Sequence, residues 1–294
     1  MKVGFIALGR MGQGMAGRIL DAGHDLLIFD QIEENLRDLH ARGAVIADSL
    51  AAVCDQRDVV ISMLPHDGAL GAVVKGEGGL LEVMPAGMTH MAMGTHSVDQ
   101  INAINQAHKD AGQIFIAAPV LGRPDLAEEG LISIVPAGPR NAVAKMQPLF
   151  DAMSKQQFMA GEQPQSSTAV KIANNFMLGS AIENMGEAFA LVRKLGVKPE
   201  LFYDVLVKGL FGASAYEVYG SMIVDENWDS HGATAVIGLK DAELVVSAGK
   251  SAGMNLPSVE IWREHLMNAI EHGEGHLDWA VMAKEQARKS GLEE

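Results

Sequence analysis

Short apolar runs separated by amphipathic segments dominate the first half of the chain. Mostly apolar runs of this length are typical of strands buried on both faces of a sheet. They predict strands at 2–7, 25–29, 44–47, 59–64, 88–93, 115–120 and 132–136, with helices that include 12–22, 99–111 and 141–152. Strands that alternate with helices in this way predict an α/β domain with a mostly parallel, doubly wound sheet.

The strand pattern stops after Gly161, and the polar, proline-containing stretch 163–167 marks the best domain boundary. We therefore predict an N-terminal α/β domain over 1–163 and an all-helical domain over 164–294. The helices predicted in the second domain are 166–195, 199–208, 216–222, 238–248, 257–272 and 277–290. The first of these is long and proline-free, so it is expected to join the two domains.

The apolar stripe of this long helix begins with two polar residues, Lys171 and Asn175. At about 100° per residue, both fall on the same side of the helical wheel as the apolar positions. The rest of the stripe is Leu178, Ile182, Met185 and Phe189, and the charged residues predicted on the exposed side are Glu183, Glu187 and Lys194. A charged amine on a buried stripe is costly unless it is paired or lies at a cleft. Lys171 is therefore either a functional lysine or one whose amine reaches solvent past its apolar stem.

A glycine-bearing turn follows the first predicted strand, and Asp30 ends the second strand, 21 residues beyond Gly9. Strand, glycine turn, helix, strand and terminal acid together predict a dinucleotide-binding Rossmann unit. The residues expected to line the cofactor site here are Leu8, Gly9, Arg10, Met11, Gly12, Asp30 and Gln31. The first glycine of the usual motif is Ala7 in this chain. The Asp30 carboxylate can accept from both ribose hydroxyls and would repel a 2′-phosphate, which favours NAD over NADP.

Three further loops lie at the carboxyl ends of predicted strands, where doubly wound sheets bind ligands. They are 64–66, 94–95 and 121–124, although their glycines and prolines also suit ordinary turns. In the helical half, Lys240 stands in a first helical turn, where a cation is unfavourable unless it serves a ligand. An exposed lysine beside Asp241 is the alternative interpretation.

Composition excludes several classes of protein. A formal net charge of −14 argues against a nucleic-acid partner. The single cysteine, Cys54, fits a reducing, cytoplasmic compartment, and no apolar run is long enough for a membrane span or signal peptide. The ten histidines are scattered, so we expect no metal site. Long apolar faces in the helical half predict a homodimer or homotetramer.

Several motifs in order along nearly the whole chain resemble the β-hydroxyacid dehydrogenase family, which includes 3-hydroxyisobutyrate dehydrogenase. They are Gly9-Arg10-Met11-Gly12 with Met15-Ala16, Met63-Leu64-Pro65, Thr95, Ala118-Pro119-Val120, Lys171-Ile172-Ala173-Asn174-Asn175 and Leu239-Lys240-Asp241. The resemblance implies hydride transfer between a nicotinamide cofactor and a small 3-hydroxy acid, with Lys171 as the catalytic acid/base, assisted by Asn175. It also implies substrate contacts from Thr95, Gly122 and Arg123, and cofactor contacts from Leu64, Pro65, Thr95 and Lys240.

The chain departs from this family pattern at three places. Many members have Ser-Gly-Gly where this chain has Leu121-Gly122-Arg123, a serine where it has Gly94, and a polar residue near Ala69. We therefore expect an acidic substrate gripped in part by Arg123, because a guanidinium can bind a carboxylate bidentately. A reductase of small aldehydes, keto acids or imines is one alternative, although related imine reductases typically lack the lysine. A nucleotide-sensing scaffold without catalysis is the other.

Overall fold

The computed structural model describes residues 1–229 and 232–292 and divides into two compact units, Met1–Lys171 and Ile172–Glu294. The division falls within one long helix, whereas the predicted boundary at 163/164 coincides with the start of that helix. The elements of the first unit are β1 (Lys2–Ile6), α1 (Arg10–Asp21), β2 (Asp25–Phe29), α2 (Glu34–Ala41), β3 (Val45–Ile46), α3 (Leu50–Cys54), β4 (Val59–Ser62), α4 (Asp67–Lys75), α5 (Leu80–Val83), β5 (Thr89–Ala92), α6 (Val98–Asp110), β6 (Ile114–Ala117), β7 (Val120–Leu121), α7 (Pro124–Glu128), β8 (Ile132–Ile134), α8 (Arg140–Lys145), α9 (Gln147–Met153) and β9 (Ser154–Gln157).

Six parallel strands form the main sheet of the first unit, in the order β3-β2-β1-β4-β5-β6. Phe5 and Ile6 are adjacent in β1 but belong to separate buried clusters, since successive side chains point to opposite faces. Helices cover both faces, and the predicted doubly wound fold is confirmed. The strand order reverses between β1 and β4, which places a ligand site outside the carboxyl ends of these strands.

The sequence prediction was wrong about the strands after β6. Predicted strand 115–120 divides between two sheets, because β6 ends at Ala117 and Pro119 has no N–H for a ladder. A separate sheet has the order β7-β8-β9, with β7 antiparallel and β9 parallel to β8. The predicted strand 132–136 therefore lies outside the main sheet. The polar strand β9 was not predicted because it lacks an apolar run.

Every named element of the second unit, in the part that the structure describes, is a helix. The remaining elements are α10 (Pro164–Lys194), which begins in the first unit, α11 (Pro199–Lys208), α12 (Ser214–Val224), α13 (Ala235–Ser251), α14 (Pro257–Glu271), a 3₁₀ turn (Trp279–Val281) and α15 (Met282–Lys289). The predicted long helix is thus present. The predicted helix 277–290 is shorter, because the Asp278 side chain accepts from Ala280 N and caps the 3₁₀ turn that precedes α15.

A larger part of the surface of helix α10 is buried than the predicted apolar stripe. Ile182, Met185 and Phe189 are buried as expected, but Glu183 is buried too and its Oε2 lies 2.9 Å from His265 Nδ1 on α14. The prediction that Glu183 faces solvent was wrong. Gly179 explains the wider arc, since a Cβ there would lie 2.9 Å from the Trp262 ring. Close approach of α14 therefore draws an additional face of α10 out of solvent.

Candidate active site

The turn after β1 presents an uncapped helix N-terminus. Ala7 adopts the left-handed conformation, with φ of 71°, and its N–H donates to Phe29 O at the end of β2. Gly9 is the N-cap of α1, and no side chain caps its first turn, which also contains no acidic residue. Unsatisfied N–H groups and the positive end of the helix dipole make such a terminus suitable for an anion such as a pyrophosphate.

The two glycines of this turn have different structural reasons. A Cβ on Gly12 would lie 2.2 Å from Ala7 O, so glycine is required for α1 to pack closely on the turn. Gly9 has an ordinary φ of −65°, and no atom lies within 4 Å of where its Cβ would be. Neither packing nor backbone conformation therefore requires glycine at position 9. The open space beside it fits the close approach of a dinucleotide.

Asp30 follows β2 and is fixed against this turn. Its Oδ2 accepts from Leu8 N over 2.6 Å and from Asn35 Nδ2 over 3.2 Å, and its Oδ1 accepts from Ile32 N over 2.8 Å. The carboxylate is half-buried and oriented, as a group that accepts from a ribose needs to be. Gln31 beside it is exposed.

The loops after β4 and β5 are tied together by Asp67, a residue that the sequence analysis missed. Its carboxylate accepts from Ser97 N over 3.0 Å and from Ser97 Oγ over 2.5 Å, and lies 3.2 Å from His96 Nδ1. Burial raises the pKa of Asp67, but the hydrogen bonds from His96 and Ser97 outweigh it and lower the pKa to about 2. Leu64 lies buried in one loop, and Thr95 lies half-exposed in the other. Asp67 suits an ordinary first turn and Ser97 an ordinary N-cap, so the sequence carried no specific signal for their pairing.

The predicted substrate residues Gly122 and Arg123 lie between β7 and α7. Gly122 has φ of 149°, and a Cβ there would lie 2.8 Å from Ile132 Cγ2, so glycine is required by the turn itself. The Arg123 guanidinium is paired with Asp125, with Nη2–Oδ2 at 2.6 Å and Nε–Oδ1 at 3.3 Å. The hydrogen bond from Arg123 lowers the pKa of Asp125 more than burial raises it. An acidic ligand at Arg123 would therefore compete with Asp125.

In the second unit, Asn175 and Lys240 meet at Asp241. The buried Asn175 donates from Nδ2 to Asp241 Oδ2 over 2.7 Å, and Lys240 Nζ lies 3.0 Å from Asp241 Oδ1. Asp241 is 5% exposed, so Lys240 is held by a buried carboxylate rather than lying free beside an exposed one. Asp241 belongs to the Leu239-Lys240-Asp241 motif but was not predicted to be a site residue. Lys171 is half-buried on α10, four positions before Asn175.

Within 1–229 and 232–292, no group of three His, Cys, Asp or Glu side chains is arranged to hold a metal ion. Nor is any helix in these ranges long and apolar enough to cross a bilayer. Burial raises the pKa of the Cys54 thiol to about 12, so this cysteine is not a thiolate nucleophile near neutral pH.

Comparison with known proteins agrees with this geometry. The family model for the NAD binding domain of 6-phosphogluconate dehydrogenase matches residues 2–161. A second model, described as NAD-binding of NADP-dependent 3-hydroxyisobutyrate dehydrogenase, matches residues 166–285. An uncharacterised oxidoreductase of Bacillus subtilis (strain 168) is 37% identical over 97% of this chain and 99% of its own length.

Two further similarities concern 3-hydroxyisobutyrate dehydrogenases. The enzyme of that name from Pseudomonas aeruginosa is 31% identical over 74% of this chain and 72% of its own length. The crystal structure of 3-hydroxyisobutyrate dehydrogenase from Salmonella typhimurium has the same fold, with a TM-score of 0.86 at 24% identity over 97% of this chain and 99% of that one. The dinucleotide turn and these matches define an oxidoreductase that uses a nicotinamide cofactor. The chain belongs to the β-hydroxyacid dehydrogenase family and is similar to 3-hydroxyisobutyrate dehydrogenase.

Proposed function

We propose that this protein oxidises a small 3-hydroxy acid, with Lys171 as the general acid/base and Asn175 as its assistant. The observation that carries the proposal is the polar head of the buried face of α10. There, half-buried Lys171 is followed after one turn by buried Asn175, whose side chain is held by Asp241. The bond to Asp241 satisfies the buried amide and fixes its orientation, which a group that assists an acid/base requires. Thr95, Gly122 and Arg123 are the proposed substrate contacts.

Each residue has a defined part in the proposed reaction. The Gly9 turn and Asp30 would hold a nicotinamide cofactor, which would supply the acceptor for the hydride of the alcohol carbon. The neutral Lys171 amine accepts the hydroxyl proton, so that the alcohol becomes a carbonyl as the carbon loses its hydride. In the reverse direction, the Lys171 ammonium donates that proton to the carbonyl oxygen. Asn175 adds no charge and supplies a fixed polar group one turn from the amine.

Substitution of Lys171 tests the assignment. Lys171→Ala should lower kcat for 3-hydroxy acids by about 10²–10⁴-fold, the usual contribution of a positioned acid or base. Its Kd for NADH should stay at the wild-type value, because the glycine turn and Asp30 are unchanged. Lys171→Arg should lower kcat as well, since a guanidinium does not give up its proton near neutral pH. Lys194→Ala, an exposed change on the same helix, is the control.

A residual kcat above about a tenth of wild type in Lys171→Ala would show that this amine is not the acid/base. Lys171 would then be a lysine that covers apolar surface with its stem while its amine reaches solvent. Loss of kcat in Lys171→Ala with a matching loss in Lys194→Ala would point to damage to α10 rather than to catalysis.

The cofactor is proposed to be NAD, with NADP disfavoured, because the fixed Asp30 carboxylate would face a 2′-phosphate. The proposed lining comprises Leu8, Gly9, Arg10, Met11, Gly12, Asp30, Gln31, Leu64, Pro65, Thr95 and Lys240. Gly9 and the uncapped α1 terminus would hold the pyrophosphate. Lys240, paired with buried Asp241, would contribute a cation whose position is fixed.

A homodimer or homotetramer is proposed from apolar side chains exposed on the second unit. Leu195 is 72% exposed at the end of α10, and Leu201 and Val205 are 61% and 62% exposed on α11. Leu210, in the next loop, is 95% exposed. Leu201 and Val205 lie one turn apart on α11, and exposed apolar side chains that lie together are typical of protein interfaces. Light scattering at micromolar concentration should give at least twice the chain mass, and a monomer would contradict the proposal.

A further inference from the structure

Asp67 joins the first turns of two helices that follow neighbouring strands. It is the first residue of α4, and its carboxylate accepts both the N–H and the Oγ–H of Ser97, the N-cap of α6. Its backbone carbonyl accepts from Gln100 Nε2 over 3.2 Å, in the first turn of α6. Ser97 Oγ also accepts from Gln100 N over 3.1 Å, so its hydroxyl both donates and accepts at this junction. The loop over 64–67 is thus fixed to the loop over 94–97.

His96 completes this junction from the side of β5. An ionised carboxylate only accepts, so His96 Nδ1, 3.2 Å from Asp67 Oδ1, must carry the hydrogen of this contact. The ring is 1% exposed, and its Nε2 is directed at Gly94. A Cβ on Gly94 would lie 2.6 Å from His96 Nε2 and 2.3 Å from Leu64 O. Residue 94 can therefore carry no side chain while His96 and Leu64 keep these positions.

We propose that Asp67 and His96 are a positioning pair that sets the spacing between the 64–67 loop and the 94–97 loop, and thereby the fit of the cofactor and the alcohol at Thr95. The imidazole of His96 occupies the space that a side chain on residue 94 would otherwise fill. Thr95 lies between buried Gly94 and buried His96, so its direction follows from theirs. This inference rests on the proposed function, which places Leu64 and Pro65 at the cofactor and Thr95 at the reacting centre.

Asp67→Ala removes the acceptor for three hydrogen bonds at once. Because displacement of positioning groups by about 1 Å can cost about 10²-fold in rate, we expect kcat/KM to fall by about 10- to 100-fold. The Kd for NADH, measured by fluorescence without turnover, should rise at least about fivefold as the 64–67 loop loosens. Asp67→Asn keeps an acceptor for Ser97 N and His96 and should stay within about threefold of wild type in both quantities.

Two further variants separate positioning from charge and from folding. Asp99→Ala removes an exposed acid from the first turn of α6 and should leave both quantities unchanged. His96→Leu fills a similar volume without the bond to Asp67, and it serves if Asp67→Ala does not fold. It should lower kcat/KM by about tenfold while the midpoint of thermal unfolding stays within about 5 °C of wild type.

The outcomes distinguish this inference from the proposed function. Wild-type Kd and kcat/KM in both Asp67→Ala and His96→Leu would overturn the positioning pair. Equal losses in Asp67→Ala, Asp67→Asn and Asp99→Ala would also overturn it, because helix-terminal charge would then explain the effect. The wild-type protein could oxidise no hydroxy acid while Asp67→Ala, unlike Asp67→Asn and Asp99→Ala, lowers the affinity for NADH. The proposed function would then be wrong, and the positioning pair would be supported.

Discussion

Asn175 on α10 donates a hydrogen bond from its side-chain amide to Asp241 on α13, over 2.7 Å. Because a carboxylate only accepts, the amide NH₂ must face Asp241, and the Asn175 carbonyl oxygen is left to accept from another donor. The second carboxylate oxygen of Asp241 lies 3.0 Å from Lys240 Nζ. One buried acid therefore orients two of the proposed site residues.

Asp241→Ala should lower kcat by about tenfold or more, because Asn175 and Lys240 both lose the group that positions them. The unpaired buried amide should also cost about 1–3 kcal/mol in the free energy of unfolding. Asp241→Asn can still accept from Asn175 and should recover part of kcat. Lys250→Ala, at an exposed position on the same helix, should change neither quantity. Wild-type kcat in Asp241→Ala would show that Asp241 is purely structural.

Gly9 and Gly12 should respond in opposite ways to a single methyl group. Gly9→Ala should change the free energy of unfolding by less than about 1 kcal/mol, since the φ angle and the open space both permit a side chain. The same variant should raise the Kd for NADH by about tenfold or more. Gly12→Ala should destabilise by about 1–3 kcal/mol or more, because its Cβ meets Ala7 O. Fluorescence titration and urea unfolding check the two quantities. Unchanged NADH affinity in Gly9→Ala would remove this turn from the cofactor site.

The sequence predicted those parts of the molecule that depend on local pattern. The dinucleotide unit is one, because strand, glycine turn, helix and terminal acid lie within thirty residues of one another. The pairs that organise the candidate site are far apart in the chain. Asp67 and Ser97 are separated by 30 positions, Asn175 and Asp241 by 66, and Glu183 and His265 by 82. Helical periodicity cannot tell a polar residue with a distant partner from one that faces solvent.

Two backbone features escaped prediction for a different reason. Ala7 takes a left-handed conformation that costs a residue with a Cβ about 1–2 kcal/mol, so sequence rules favour glycine there. Tertiary structure imposes it, since Ala7 N donates to Phe29 O and Ala7 O packs against Gly12. Val120 and Leu121 look continuous with β6, yet they pair with β8 after Pro119 interrupts the ladder. In both cases contacts with other elements of the fold determine the path of the backbone, and a short stretch of sequence does not reveal those contacts.

Asp30 should give a preference for NAD over NADP of about tenfold or more, because like charges placed together in a site cost several kcal/mol. Asp30→Ala should lower the affinity for NAD, because it removes the hydrogen bonds that fix Leu8 N and Ile32 N. It should also raise the use of NADP relative to NAD. Asp38→Ala, an exposed acid on α2, is the control. The ratio of kcat/KM for the two cofactors is the measurement. Equal use of both by the wild-type protein would contradict the prediction.

Arg123 should bind acidic substrates in competition with Asp125. Asp125→Ala releases the guanidinium and should lower the KM of acidic substrates by about two- to fivefold, the usual worth of an exposed ion pair. Arg123→Ala should raise that KM, and in its presence Asp125→Ala should have no effect. Uncharged alcohols of similar size serve as control substrates. An unchanged KM for every acidic substrate in Arg123→Ala would leave Arg123 as a partner of Asp125 alone.

A buried chain of hydrogen bonds connects β4, β5, α6 and the start of β6. Gln113 donates to Met84 O over 2.7 Å, so its carbonyl oxygen faces His108 Nδ1, also at 2.7 Å. His108 Nε2 lies 2.9 Å from His90 Nδ1, and His90 Nε2 lies 2.9 Å from Ser62 Oγ. Every group is satisfied when both rings are neutral, with hydrogen on Nδ1 of each.

Acid should therefore destabilise the first unit. Burial lowers the pKa of His90 well below 6.5, helped by His108 and His96, and burial lowers the pKa of His108 more than its bond to Gln113 raises it. Below pH 6.5 His90 and His108 bind protons in the unfolded chain but not in the folded chain. The free energy of unfolding therefore decreases as the pH is lowered. The slope is about 1.4 kcal/mol per pH unit for each histidine, down to the folded pKa.

His90→Gln should remove the contribution of one histidine to the pH dependence of the free energy of unfolding. Between pH 6 and pH 5, the free energy of unfolding in urea should fall less steeply than in wild type, by about 1.4 kcal/mol per pH unit. The variant should also be less stable at pH 7.5, because a shorter side chain interrupts the chain between Ser62 and His108. His276→Gln, at an exposed position, should leave the slope at the wild-type value. If His90→Gln keeps the wild-type slope, the folded protein must accept a proton at His90, and acid sensitivity must arise elsewhere.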